Sequence, residues 1–342
     1  MRFFRKFCAV ALACAMAISV TGCGDDKKDK PKVMIYTSMY EDIVDNLKKA
    51  LNEKFPEYDV DFFQGGTGTL QAKVAAEISA GKLGCDMLMV AEPSYALELK
   101  EQNLLEPIKI DNTDNFLFDY DKDGYWYPVR VSNMILAYNP EKKQLNEVPN
   151  SFEEFANKAE LKGRLSMPNP LVSGSAMASV AGLLDKYGEE YFDKLGKLNI
   201  PVESGSVSVS KLETGECDAI MVLEESILKK REEEGSKLEV IYPKDGTIAI
   251  PSPIMSIAKD KSANNNIEAC KKITEWFLTE EGQSYITKAW MHSVFKETKN
   301  IPFDAKPTKD ILANSISVNW EKVYKERDAI RNKFQEYVTI KK

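Results

Sequence analysis

Histidine occurs once in 342 residues, as His292. Its scarcity, and the lack of any GxSxG, HExxH, CxxC or Walker pattern, leaves little for acid–base, metal or nucleotide chemistry. His292 sits in Trp290-Met291-His292 and reads as structural. Paired carboxylates alone could run glycoside hydrolysis, but nothing in the sequence sets two of them in register. A non-enzymatic role is the expectation, with no cofactor and no bound metal. Cysteine is also sparse: beyond Cys23 only Cys85, Cys217 and Cys270 remain, at spacings that make neither a disulfide framework nor a zinc pattern. Basic charge is not in excess. Lys and Arg number 46 against 53 Asp and Glu, a net charge of −7, and no basic stripe occurs, so nucleic acid is not an expected partner. After the first 23 residues no apolar run approaches the roughly 18 residues of a spanning helix.

What is present begins with a leader. Arg2, Arg5 and Lys6 precede the apolar run Phe7 to Val20, which ends in Val20-Thr21-Gly22-Cys23. This resembles the lipobox of bacterial lipoproteins, where cleavage leaves a lipidated cysteine, here Cys23, as the new N-terminus. Gly24 to Pro31 has no apolar residue and reads as a solvated tether. The expected product is exported and held by lipid on the extracytoplasmic face of the cell membrane.

The stretch Gly65-Gly66-Thr67-Gly68-Thr69 follows a strand pattern (58–63). It precedes a helical one with Leu70, Val74, Ala75 and Ile78 on one face. A helix N-terminus presents unpaired N–H groups and the positive end of the dipole, and glycines allow close approach, so the turn suits an anion. A simpler reading makes Thr67 or Thr69 the N-cap and gives the glycines positive φ. An earlier unit has the same form: the strand Val33–Tyr36, the turn Thr37-Ser38-Met39-Tyr40, then a helix from about Glu41. A third, Ser173-Gly174-Ser175, stands between the strand Gly163–Pro168 and a helix from Ala176. Such alternation predicts parallel α/β sheets with ligands beyond the carboxyl ends of strands.

Residues 84–94 and 217–226 echo one another. With Cys85 set on Cys217, the aspartates, Met89 and Met221, Val90 and Val222, Glu92 and Glu224, and Ser94 and Ser226 coincide. Two related lobes sharing a cleft are the expectation. Glu92, Glu224 and Glu225 are then candidates for a cationic or hydroxyl-bearing part of a ligand. Asp119–Gly124 opens like a calcium loop, but Arg130 stands where the twelfth-position glutamate should be, so a turn is expected. The segments Tyr125–Val131 and Asn133–Tyr138 read as strands crossing between lobes. Arg130 is either a cleft residue for a ligand anion or a hinge ion-pair partner.

Taken together, Gly65–Gly68, Cys85–Val90, Val131–Pro140, Gly215–Ser226, Ile241–Thr247 and Thr279–Gln283 resemble solute-binding proteins of ABC importers, of the two-lobed type II periplasmic-binding class. The resemblance spans about residues 32–300. It implies an α/β fold in two lobes, each a mostly parallel sheet flanked by helices, with the ligand cleft between them. Expected boundaries are a signal peptide (1–22), a tether (23–32), a first lobe (33–132 and 254–300), a second lobe (133–253) and a helical C-terminal segment (301–342) packing on both. The subgroup it resembles holds ferric-ion, 2-aminoethylphosphonate and hexose-phosphate binders. Iron binders of that subgroup carry a tyrosine pair where this chain has Glu224-Glu225, and Tyr-Tyr occurs nowhere in it. The implied ligand is therefore a small phosphorus-bearing anion, with ferric ion the alternative and polyamine, thiamine or a carboxylate-based enzyme further off. Candidate ligand-binding residues are Thr37, Ser38, Gly66, Thr67, Gly68, Thr69, Glu92, Arg130, Ser173, Gly174, Ser175, Glu224 and Glu225. Expected partners are the solute, the permease and ATPase subunits, and the membrane through Cys23; the protein itself is expected to be a monomer.

Replacing Cys23 by serine should leave the chain unacylated and released from membranes, because lipid rather than a spanning helix is expected to hold it. Fractionation of cells expressing Cys23→Ser tests this, and membrane retention of the variant would contradict it.

Overall fold

Buried β-formers in short runs, separated by amphipathic helices, build a mixed sheet whose centre is antiparallel and whose wings are parallel. The computed structural model describes residues 30–111 and 113–340. The leader and Cys23 lie outside them. The strands are β1 (Lys32–Thr37), β2 (Asp59–Gln64), β3 (Met87–Met89), β4 (Leu105–Glu106), β5 (Tyr127–Tyr138), β6 (Leu165–Pro168), β7 (Val202–Glu203), β8 (Ala219–Leu223), β9 (Glu239–Ile241) and β10 (Ile248–Ile257). Between and after them run α1 (Glu41–Lys54), α2 (Thr67–Ser79), α3 (Ser94–Glu101), α4 (Phe152–Asn157), α5 (Gly174–Tyr187) and α6 (Glu189–Lys197). The later helices are α7 (Gly205–Thr214), α8 (Glu224–Glu234), α9 (Ile267–Phe277), α10 (Glu280–Lys288), α11 (Thr308–Ala313) and α12 (Trp320–Phe334).

The strand order is β2-β1-β3-β10-β5-β8-β6-β7, with β4 beside β10 and β9 beside β5. β1 pairs in parallel with β2 and β3, and β6 pairs in parallel with β7 and β8. The long strands β5 and β10 pair antiparallel with each other and join these wings. Both run from one core to another. Val129 and Val131 of β5 and Ile254 of β10 pack with the residues of α1, α9 and α10. Met134 and Leu136 of β5 and Ile248 and Ile250 of β10 pack with those of α4, α5 and α6. The fold is thus the two-lobed α/β arrangement that the sequence implies, and β5 and β10 form its crossing.

Some details differ from the sequence-based expectations. The strand expected at Tyr125 begins at Tyr127, and it runs on through Asn133–Tyr138 as one continuous strand, β5, because Ser132 is buried and takes part in the ladder with β10. The cap of α2 is Gly66 rather than either threonine, and Ala75 faces solvent while Leu70 and Val74 are buried. Asp119–Gly124 is a turn: Asp121 accepts from the N–H of Asp123 at 3.0 Å, and Lys100 pairs with both aspartates. Cys85, Cys217 and Cys270 are free and buried. Among the described residues no helix is long and apolar enough to cross a membrane.

The C-terminal segment ties the two halves. Val323, Ile330, Phe334 and Val338 enter the second core. From the same helix, Arg327 pairs with Glu98 and the Tyr324 hydroxyl donates to Glu101, both on α3 of the first lobe. Gly196 of α6 lets the carbonyl of Tyr337 approach so closely that a Cβ there would collide with it. Gly196→Ala should therefore dislodge the terminal turn and cost about 1–3 kcal/mol, the usual penalty of overpacking. A urea midpoint equal to that of the wild type would contradict this.

Candidate functional site

Between the lobes lies a cavity of about 380 Å³, within the range of small-molecule sites. Four helices open onto it by their N-termini: α2 through Gly66, Thr67 and Thr69, α5 through Ser173, Gly174 and Ser175, α7 through Ser204 and Gly205, and α8 through Glu225 and Ser226. Three of them begin there for a local reason. Ser173 caps α5 by accepting from Ala176 N–H at 3.3 Å, and Ser204 caps α7 by accepting from Val207 N–H at 3.3 Å. Gly66 caps α2 without a side chain, which leaves that end open. Convergent helix N-termini favour negative charge through free N–H groups and aligned dipoles.

The floor is Arg130, on β5 and 4% exposed. One Nη donates to Ser132 Oγ at 3.3 Å and to the Met291 sulfur at 3.1 Å; the other donates to Ser38 Oγ at 3.3 Å. Its Nε–H is buried without a partner. No carboxylate lies within ion-pair distance of it among the described residues, so the hinge ion-pair reading does not hold and Arg130 is a cleft residue. Burial pulls the guanidinium's pKa below its usual value, against the opposing pull of Glu225 and Tyr40. Glu225 also lines the cavity and accepts from Ser132 Oγ at 2.8 Å. Burial raises its pKa, offset by its own backbone N–H, Ser132 and Arg130.

Of the residues singled out from the sequence, Ser38, Gly66, Thr67, Thr69, Arg130, Ser173, Gly174, Ser175 and Glu225 come together around this cavity. Four others are placed elsewhere. Thr37 is fully buried beneath the turn, its hydroxyl accepting from Met39 N–H at 3.2 Å. Glu92 is spent on the start of α3, accepting from the N–H and hydroxyl of Ser94 at 2.7 and 2.8 Å. Gly68 donates its N–H to the carbonyl of Val172 at 3.1 Å, across the cleft. Glu224 is fully buried and bonded by Asn133, His292 and Tyr242. The sequence reading missed Tyr40, Gln64, Ser132, Asn169, Ser204, Ser226 and Met291 as lining residues. The i, i+2 alternation from Arg130 points to Ser132, whereas nothing local marks Met291.

The lobes touch at the cavity's rim. Besides the Gly68–Val172 bond, the hydroxyls of Tyr40 and Ser226 lie 3.2 Å apart, and Lys229 pairs with Asp42. The glycines serve this apposition: none of Gly65, Gly66 and Gly68 has a positive φ. A Cβ on Gly68 would lie 3.0 Å from the Leu171 carbonyl oxygen, and one on Gly174 2.7 Å from Thr67 Oγ1.

The family follows from comparison with known proteins. Residues 46–295 match the model of the bacterial extracellular solute-binding proteins. The chain belongs to that family. A solute-binding protein captures its ligand rather than transforming it. Solved structures agree in fold. AfuA, a periplasmic binding protein from Actinobacillus pleuropneumoniae with fructose-6-phosphate bound, has TM-score 0.77 and 20% identity, over 91% of this chain and 99% of that one. Iron-bound HitA from Pseudomonas aeruginosa has TM-score 0.76 and 19% identity, over 89% and 99%. A periplasmic thiamin binding protein has TM-score 0.76 and 15% identity, over 91% and 98%. No curated protein matches at a significant level.

In this solute-binding protein Gly174→Ala should hold α5 away from Thr67. Overpacking of that kind weakens capture by roughly tenfold, about 1.4 kcal/mol. Calorimetry, with small-angle scattering for a larger solute-bound radius of gyration, checks it; wild-type values in both would show that the close approach is dispensable.

Proposed function

We propose that this chain is the lipid-anchored receptor of an ABC importer and captures a small phosphorus-bearing anion, a phosphonate such as 2-aminoethylphosphonate or a sugar phosphate. One observation carries the reading. Arg130 is a buried guanidinium with no carboxylate partner and an unbonded Nε–H, in a cavity onto which four helix N-termini open. A buried guanidinium whose nearest carboxylate, Glu225, is reached only through Ser132 is incompletely compensated, and a tetrahedral oxyanion supplies both the charge and the acceptors. Ser38, Thr67, Thr69, Ser173 and Ser175 offer hydroxyls to its remaining oxygens. Glu225 would take a hydroxyl or amine at the other end. Fructose-6-phosphate in AfuA gives the sugar phosphates independent support.

Iron-bound HitA makes ferric ion the competing cargo. Iron(III) favours hard anionic oxygens. Here a bare ion would face a guanidinium and helix N-termini, and no group of three or more His, Cys, Asp or Glu suited to a metal occurs among the described residues. The lobes are inferred to be 33–132 with 254–300, and 133–253, turning about β5 and β10 as the cleft closes.

A thermal-shift panel of 2-aminoethylphosphonate, hexose phosphates, ferric citrate, thiamine and spermidine identifies the class, since a ligand at 100 times its Kd adds about 2.7 kcal/mol. With the best phosphorus compound, Arg130→Met should weaken binding about a hundredfold and Ser175→Ala about tenfold, because bonds to a charged group are worth about 1.5–3 kcal/mol each. Stabilisation by ferric citrate and by no phosphorus compound would overturn the reading.

A further inference from the structure

We infer that Glu224 is a positioning residue: it grips the crossing strand β5 from the face opposite the cavity and thereby holds its neighbour Glu225 against the solute. Successive residues of a strand point to opposite faces. On β5, Arg130 and Ser132 face the cavity, and Asn133 faces away from it. The first two residues of α8 match this alternation. Glu225 accepts from Ser132 Oγ at 2.8 Å on the cavity face. Glu224 accepts from Asn133 Nδ2 at 2.8 Å on the other. The two glutamates straddle the strand.

Glu224 is anchored on further sides. Its Oε2 lies 2.9 Å from His292 Nε2, and its Oε1 accepts from the Tyr242 hydroxyl. His292 is itself fixed: its N–H and carbonyl pair with Val131 at 2.9 Å, and its Nδ1 lies 3.3 Å from Thr308 Oγ1. Tyr242 accepts from Lys306 N–H at 3.0 Å. One fully buried carboxylate therefore joins β5, α8, the segment after β9 and the segment after α10, and Tyr242 passes the link to Lys306 before α11. None of its partners lines the cavity except through β5 itself. A carboxylate that accepts three bonds in the interior is held to one rotamer, and the backbone of the adjacent Glu225 is held with it. Asn133 Oδ1 is buried and unbonded, so a glutamine amide nitrogen at position 224 is accommodated by turning the Asn133 amide to accept from it, together with the His292 tautomer whose Nε2 is an acceptor.

The inference rests on the proposed anion reading only for the choice of solute. Crystal structures of ligand-free Glu224→Ala and Glu224→Gln, of the full mature chain, test it directly. In Glu224→Ala the Ser132–Glu225 bond should be lost; in Glu224→Gln it should survive, with the Asn133 amide turned. Calorimetry with 2-aminoethylphosphonate should give about tenfold weaker binding or worse for Glu224→Ala, and within about threefold of wild type for Glu224→Gln. If Glu224→Ala does not fold, Tyr242→Phe, which removes one of the three donors, should lengthen the Ser132–Glu225 contact and weaken binding measurably. An intact Ser132–Glu225 bond in Glu224→Ala, or in Tyr242→Phe if only that variant folds, would overturn the positioning role. A wild-type chain that ignores 2-aminoethylphosphonate and every hexose phosphate of the panel would count against the anion reading, while the crystal structures would still decide the role of Glu224.

Discussion

A guanidinium kept in the interior without a carboxylate at its side is the constraint around which this molecule is arranged. Removing one partner of a buried pair leaves a charge that costs several kcal/mol. Arg130 is spared the full cost: Glu225 is reached through Ser132, and two serine hydroxyls and a thioether accept from its Nη groups. The arrangement is tolerable because Arg130 lies on β5, the strand both lobes share, where its backbone stands opposite Ser252 of β10. The stability lost at one side chain is supplied by the cores at either end of the same strand. Under the proposed anion reading, a solute that neutralises Arg130 would do so on the strand both lobes share.

The order of elements was legible in the sequence because apolar runs, capping serines and Gly-hydroxyl turns fall in regular alternation. The turn at Gly65–Thr69 shows where such reading stops. Its glycines, its helix start and its place at a strand end were all evident, and the structure keeps them. Their purpose was not evident. Gly66 and Gly68 have ordinary φ, and what they make room for is the backbone of Leu171 and Val172 on the opposite lobe. Close approach between segments about a hundred residues apart leaves no local mark except the glycine itself.

The echo between 84–94 and 217–226 was legible as a pattern and misleading as a site. Asp86 bonds the N–H of Met34 and Asn264, and Asp218 pairs with Arg164, so each aspartate fixes the entry of its strand. Glu92 and Glu224 are likewise taken up by the protein's own donors, at the start of α3 and at the crossing. What repeats is scaffold. The carboxylate that reaches the solute cavity, Glu225, has no counterpart in the first copy, where Pro93 stands.

An acidic chain can hold an anion because the two charges act over different ranges. The net charge of −7 is spread over the surface and is screened within about 8 Å at physiological salt. The dipoles of four helix ends and the Arg130 guanidinium act across a few ångströms of partly desolvated space, where screening is weak. Glu225 then limits what this local field accepts. A simple divalent anion would satisfy Arg130 but lie near a second buried negative charge. A solute carrying a hydroxyl or amine a few bonds from its anionic head satisfies both groups at once. Under the proposed reading, opposite charges joined through one serine, Ser132, would favour a bifunctional solute over the inorganic anions around it.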